Sequence, residues 1–147
     1  MVLLVIVLML PRLDAQGGSA LRQGELPVLP RVEVRRLVGT IQVDGRLSEA
    51  TWKVAEAVVF QFPWQDQQGA KQKTTARLLW DDQYLYVSYD CEDSDITAQF
   101  LKRDDPTYRD DAVELFLNPR PGQTDGYFGF EMNARGVMYD YIYFLSL

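Results

Sequence analysis

Two alternating runs at the centre of the chain, residues 75–80 and 84–91, are separated only by Asp81-Asp82-Gln83. A connection that short can join extended segments only as a tight hairpin, because a parallel crossover needs a dozen residues or more. The chain is therefore committed to an antiparallel β pair, and the same pattern recurs on both sides of it. Short extended runs are predicted at residues 32–34, 40–43, 58–62, 112–118, 127–133 and 137–147, with turns at Asp44-Gly45 and Ala134-Arg135-Gly136. One helical candidate interrupts them at residues 48–57, where Ser48 is placed to cap, Glu49 lies in the first turn and Trp52 shares a face with Ala55. Strands at roughly ten-residue spacing with a single short helix predict an all-β fold, an antiparallel β-sandwich.

The remaining composition narrows the chemistry. A length of 147 residues fits one domain, and the eight Tyr, seven Phe and three Trp favour strands. Net charge is −6 and no basic cluster exceeds Arg35-Arg36, which argues against a nucleic-acid or anionic-membrane partner. Histidine is absent, so Ser-His-Asp and Cys-His catalysis and imidazole metal sites are excluded. Any metal would be a hard cation on carboxylates. The single cysteine, Cys91, cannot form an internal disulfide and is expected to be a small buried hydrophobe beside Leu85, Val87 and Tyr89.

The two ends differ from the middle. Residues 2–10 are unbroken and apolar, too short to span a bilayer, with a cleavage point offered after Ala15, although no basic residue precedes them. Residues 1–15 are therefore expected to be a signal peptide, possibly incomplete, and residues 16–30 a Gly/Ser/Pro/Gln linker. This implies a secreted or extracytoplasmic protein. Residues 31–147 form the predicted sandwich. The run Tyr139-Asp140-Tyr141-Ile142-Tyr143-Phe144-Leu145-Ser146-Leu147 stops within an apolar strand, which leads us to expect a domain truncated at its C-terminus.

Residues 104–114 carry the clearest site signal: a loop that ends on Tyr108 and a strand that holds Glu114. A pyranose has an apolar C–H face that stacks on an aromatic ring and hydroxyls that donate to a carboxylate, so the pair could hold a sugar if the loop folds back over the strand. The plainer alternative is a surface turn leading into a sheet.

Three blocks in fixed order resemble the family 9 carbohydrate-binding module. They are Val43-Asp44-Gly45 with Trp52 in residues 41–52, Trp80-Asp81-Asp82 with Leu85-Tyr86-Val87 in residues 75–87, and Asp110-Asp111-Ala112-Val113-Glu114-Leu115-Phe116 in residues 108–117, followed by Phe130-Glu131-Met132-Asn133 and Gly136. The resemblance covers about residues 32–143. It implies a non-catalytic β-sandwich accessory to polysaccharide breakdown, with xylan or cellulose as candidate ligands and a linked catalytic or membrane domain as a possible neighbour. It places Tyr108 at a stacking position and Glu114 at a sugar-binding carboxylate. Glu131 stands where the family pattern has an arginine, so that contact is lost or inverted, and Asn133 is a candidate in the same block. The family's second stacking Trp lies in a C-terminal part absent from this sequence. The resemblance also makes structural calcium plausible.

Several residues have plainer readings. Trp52 and Trp80 are expected in the core or hairpin, Trp64 is an alternative platform at a loop entrance, and Asp44, Asp81 and Asp82 are expected turn residues. Asp93, Asp95, Asp104, Asp105, Asp110 and Asp111 could supply calcium oxygens but lack the spacing of an EF-hand. Two rival functions remain: a glycoside hydrolase using Asp110 or Asp111 with Glu114 as a carboxylate pair, and a structural sandwich at the N-terminus of a larger exported or outer-membrane protein.

Overall fold

The computed structural model describes residues 31–60, 72–120 and 126–144. It is an all-β sandwich of two sheets. Strands β1 (Arg35–Arg36), β2 (Val58–Val59), β3 (Thr74–Trp80) and β4 (Leu85–Cys91) form the first, and β5 (Ala112–Leu117), β6 (Gly126–Asn133) and β7 (Met138–Phe144) form the second. In the first sheet β4 runs antiparallel along the whole of β3, while β1 and β2 share the other edge of β3, β1 parallel and β2 antiparallel. The second sheet is an antiparallel meander in the order β5-β6-β7.

The central hairpin forms as its sequence dictates. Asp81 closes the connection by accepting the Gln83 and Tyr84 N–H groups on one carboxylate oxygen, both at 2.7 Å, while its own N–H donates to the Tyr84 carbonyl. Asp82 pairs with Arg36, whose guanidinium lies over the Trp80 ring, and the Trp80 indole donates to the Val34 carbonyl at 3.1 Å. Trp80 thus ties β1 to the hairpin and has no ligand role to fill.

The predicted helix is reduced to a 3-10 turn at Ala50–Lys53, and Ser48 does not cap it. The Glu49 carboxylate instead accepts the Gln42 N–H at 3.0 Å, which ties down residues 40–43 without making them a strand. That backbone bond, followed by one to its own N–H, holds the Glu49 carboxyl below its usual value. The expected face still forms: Trp52, Ala55 and Leu79 pack together, flanked by Leu37, Ile41 and Tyr86, with Leu79 wholly buried. The opposite face of β3 carries Ala76 and Leu78, also buried. Tyr89, opposite Ala76 in the register, extends from that face and donates its hydroxyl to the Glu114 carbonyl at 2.7 Å, so this is the side that meets the second sheet.

Three other expectations need adjustment. Strand pairing begins at Arg35 rather than at residues 32–34. Cys91 is exposed, because it is the last residue of β4, opposite Thr74 at the fraying end of the hairpin. Trp64, the signal peptide, the linker and the last residues of the chain lie outside the described residues.

Candidate functional site

The second sheet has two chemically distinct faces. Val113, Leu115 and Leu117 point one way with Phe128, Phe130 and Met132, while Glu114 and Phe116 point the other way with Tyr127, Gly129 and Glu131 and with Tyr139, Tyr141 and Tyr143 of β7. The period of two that separates apolar from polar residues along β5 and β6 creates this division, and the hairpin turn at Gly136, with φ of 76°, fixes the register of β7.

Glu114 and Glu131 are directly opposed across β5 and β6. The Ala134 N–H donates to the Asp111 carbonyl, so counting along the ladder makes Glu114 and Glu131 a non-hydrogen-bonded pair, the type in which side chains stand closest. The same alternation turns the Glu114 carbonyl outward, where Tyr89 reaches it. Glu131 is 3% exposed and accepts the Thr107 hydroxyl at 2.6 Å, whereas Glu114 is exposed. Burial, then a hydrogen bond to Glu131 and the charge of Glu131, holds the Glu114 carboxyl above its usual value. A carboxyl–carboxyl hydrogen bond requires a proton between the two, so the pair does not present two full negative charges when bonded.

This pair has a consequence for stability. A carboxyl whose folded pKa is raised keeps its proton in the folded chain at pH values where the unfolded chain has released it, so its contribution is lost as pH rises from 4.5 through the folded value. Glu114→Gln is therefore expected to melt above wild type at about pH 8, with the gap closing toward about pH 4, in thermal unfolding followed across that range. A gap of constant size would mean that the two carboxyls are not coupled.

The loop does fold back over the strand. A 3-10 turn at Thr107–Arg109 packs on β5 and β6, anchored by the fully buried Thr107 and its bond to Glu131. Tyr108 is left 63% exposed, with its ring edge-on to Tyr139 at 6.2 Å between centroids. Tyr139 lies opposite Glu131 in the register, so the exposed ring and the two carboxyls border the same patch.

Asn133 has a different place. Its amide donates to the Phe100 carbonyl at 3.0 Å and to Asp110 at 2.8 Å, and its oxygen accepts the Arg135 and Val137 N–H groups, both at 3.0 Å. Two donors and two acceptor sites are thereby filled inside the chain, and the residue is 2% exposed. As a contact residue it has nothing left to offer a ligand; it positions the loop before the 3-10 turn.

The acidic loops are likewise committed. Asp93 accepts the Asp95 N–H, Asp105 those of Leu101 and Lys102, Asp110 those of Gln99 and Phe100, and Asp111 that of Thr97. Burial pushes the Asp110 carboxyl up, but the Gln99 N–H, the Asn133 amide and the Phe100 N–H outweigh it and hold it below its usual value. Among the described residues no three potential ligands converge, so these carboxylates do not fit a calcium site.

Sequence reasoning found Tyr108, Glu114 and Glu131 but missed Thr107, Tyr139 and Tyr141. The two tyrosines were legible in the alternation of Tyr139-Asp140-Tyr141-Ile142-Tyr143, which places three rings on one face and which a reading of the segment as merely apolar passes over. Thr107 carries no local signal, because its partner lies 24 residues away.

Residues 43–141 match the family described as carbohydrate family 9 binding domain-like. Over 91 residues, 62% of this chain, the sequence is 33% identical to endo-1,4-beta-xylanase C of Paenibacillus barcinonensis and 31% identical to exoglucanase XynX of Acetivibrio thermocellus. It is 29% identical to endo-1,4-beta-xylanase A of Thermoanaerobacterium saccharolyticum over the same length. The match spans only 7–8% of the length of these proteins. No solved structure matches the chain significantly. With its two-sheet β fold and a match over residues 43–141, the chain belongs to the carbohydrate family 9 binding domain-like family.

Proposed function

We propose that this domain binds carbohydrate without cleaving it, at the patch bordered by Tyr108, Glu114 and Tyr139, and that it serves as an accessory to polysaccharide breakdown. The observation that carries this reading is an exposed ring held by a buried anchor beside an accessible carboxyl on a rigid strand. Stacking on Tyr108 covers the apolar face of a sugar, and Glu114 accepts from its hydroxyls. The relatives named as xylanases and an exoglucanase make β-1,4-linked xylan and cellulose fragments the first ligands to test.

The lack of catalysis follows from distance and commitment. A glycosidase keeps its two carboxyls ~5–5.5 Å apart to retain configuration, or ~6.5–9.5 Å apart to invert it. Glu114 and Glu131 are closer than either arrangement, in direct hydrogen bond. Asp110 and Asp111 are occupied by backbone N–H groups. An exported location rests on the apolar residues 2–10 and the linker after them, and attachment to a catalytic or membrane domain rests on the small share of the relatives that is matched.

Calorimetry tests the site. Tyr108→Ala is expected to weaken binding of a xylo- or cello-oligosaccharide by ~1–3 kcal/mol, the scale of burying one large side chain, and Glu114→Gln by ~1.5–3 kcal/mol, the scale of a charge-assisted hydrogen bond. Neither change should unfold the chain, since both residues are exposed. Binding that survives both substitutions would place the ligand elsewhere. A second reading, a sandwich that packs against a neighbouring domain, is favoured by the exposed apolar side chains Phe128, Met132, Ile142 and Phe144 on the other face of the same sheet, and wild-type chain that binds no sugar would support it.

A further inference from the structure

The rings on the Glu114 face form a continuous series rather than a single platform. Tyr139 contacts Tyr141 at 5.5 Å between centroids, Tyr141 contacts Tyr127 at 6.3 Å, and Tyr127 stacks on Tyr143 at 5.2 Å with planes 25° apart. Tyr108 begins the series at Tyr139, and Phe116 closes on Tyr127 at 5.4 Å. Five of the chain's eight tyrosines thus share one face.

Gly129 determines how the middle ring lies. It stands between Phe116 and Tyr141 in the register, and a Cβ built on it would fall against the Tyr141 ring, within 2.7 Å of both ε carbons. Without that atom, Tyr141 lies flat across the sheet and turns a ring face outward. Burial, followed by the nearby Tyr127 and Glu114, raises the Tyr141 hydroxyl to about 12, so it remains a neutral donor at physiological pH. An aromatic laid over a cross-strand glycine also stabilises a sheet in its own right. That role does not account for the series continuing to Tyr143, 46% exposed, at one end and to Tyr108, 63% exposed, at the other.

We infer that this row extends the proposed sugar site into a platform for several consecutive units of a linear neutral glycan, running from Tyr108 past Glu114 and over Tyr141 to Tyr143. The inference rests on the sugar-binding reading of the same face. Strand geometry sets alternate residues ~7 Å apart, so Tyr139, Tyr141 and Tyr143 extend over ~13–14 Å, longer than one pyranose. Ring faces suit the apolar faces of successive sugars, while tyrosine hydroxyls and Glu114 meet the equatorial hydroxyls at their edges. A flat, extended β-1,4-linked chain matches that surface better than a coiled one.

The test is calorimetric titration of this chain with xylose, xylobiose, xylotetraose and xylohexaose, and with the corresponding cello series. Affinity is expected to rise about tenfold or more from disaccharide to hexasaccharide, and Tyr143→Ala should bring that ratio close to one. Gly129→Val, which displaces the Tyr141 ring, should reduce the same ratio, and circular dichroism would establish that each variant is folded. Val43→Ser, at a position 88% exposed and away from this sheet, should leave it unchanged. Equal affinity for disaccharide and hexasaccharide, or a ratio insensitive to Tyr143→Ala, would overturn the platform while leaving the Tyr108 and Glu114 site standing. Failure to bind any sugar would overturn both.

Discussion

Trp52→Ala is expected to lower the unfolding free energy by about 3–5 kcal/mol, a large part of what a domain of this size possesses. The indole is 6% exposed and fills the space between Ala55 and the wholly buried Leu79, under Leu37, Ile41 and Tyr86. A 3-10 turn of four residues cannot close up around the gap, because Glu49, just before it, is tied to Gln42 and its carboxyl end is held by the Val54 N–H bond to Thr51. The cost therefore includes both lost transfer energy and a persistent cavity. Urea unfolding would measure it as a shift of midpoint at constant slope. A loss below about 1 kcal/mol would mean that the turn does not cover the sheet as described.

Asn133→Ala is the second large effect, expected at about 2–4 kcal/mol, because a cluster of polar groups loses its common partner. The Phe100 carbonyl and the Asp110 carboxylate lose donors, and the Arg135 and Val137 N–H groups lose their acceptor at the β6-β7 turn. Water can reach some of these groups, which keeps the cost below the sum of four bonds. The isosteric Asn133→Asp separates shape from chemistry: it retains the acceptor toward the turn but sets a second carboxylate against Asp110. That defect should ease in acid, where a protonated carboxyl can donate again. Thermal unfolding of both variants at neutral and acid pH would measure these effects, and a neutral-pH loss for Asn133→Asp as small as that of a surface substitution would contradict the role assigned to the residue.

How far the sequence could be read depended on the range of the interactions involved. The Asp81-Asp82-Gln83 hairpin, the faces of β5 and β6 and the Trp52 core position follow from local periodicity and turn chemistry, and all were legible. The helix at residues 48–57 was over-read, because Ser48 and the Trp52–Ala55 spacing signal a helix start, while Glu49 is drawn instead to the Gln42 backbone. Cys91 was expected to be buried on alternation alone, which cannot detect that a strand is ending. At the site, Tyr108 and Glu114 could be named from chemical type and spacing. The carboxyl pair could not, because it depends on the register of β5 against β6, and neither could the anchoring of Tyr108, because Thr107 reaches Glu131 across the fold.

The central claim is that the face carrying Glu114, Glu131 and the tyrosine row meets the sugar. Chemical-shift mapping of isotope-labelled chain during titration with xylohexaose tests it residue by residue. The account predicts that shifted amides gather at residues 107–109, at Glu114 and Glu131, and along residues 139–143, with the hairpin of β3 and β4 unmoved. Shifts confined to the hairpin or to the Trp52 turn, with that face silent, would contradict it.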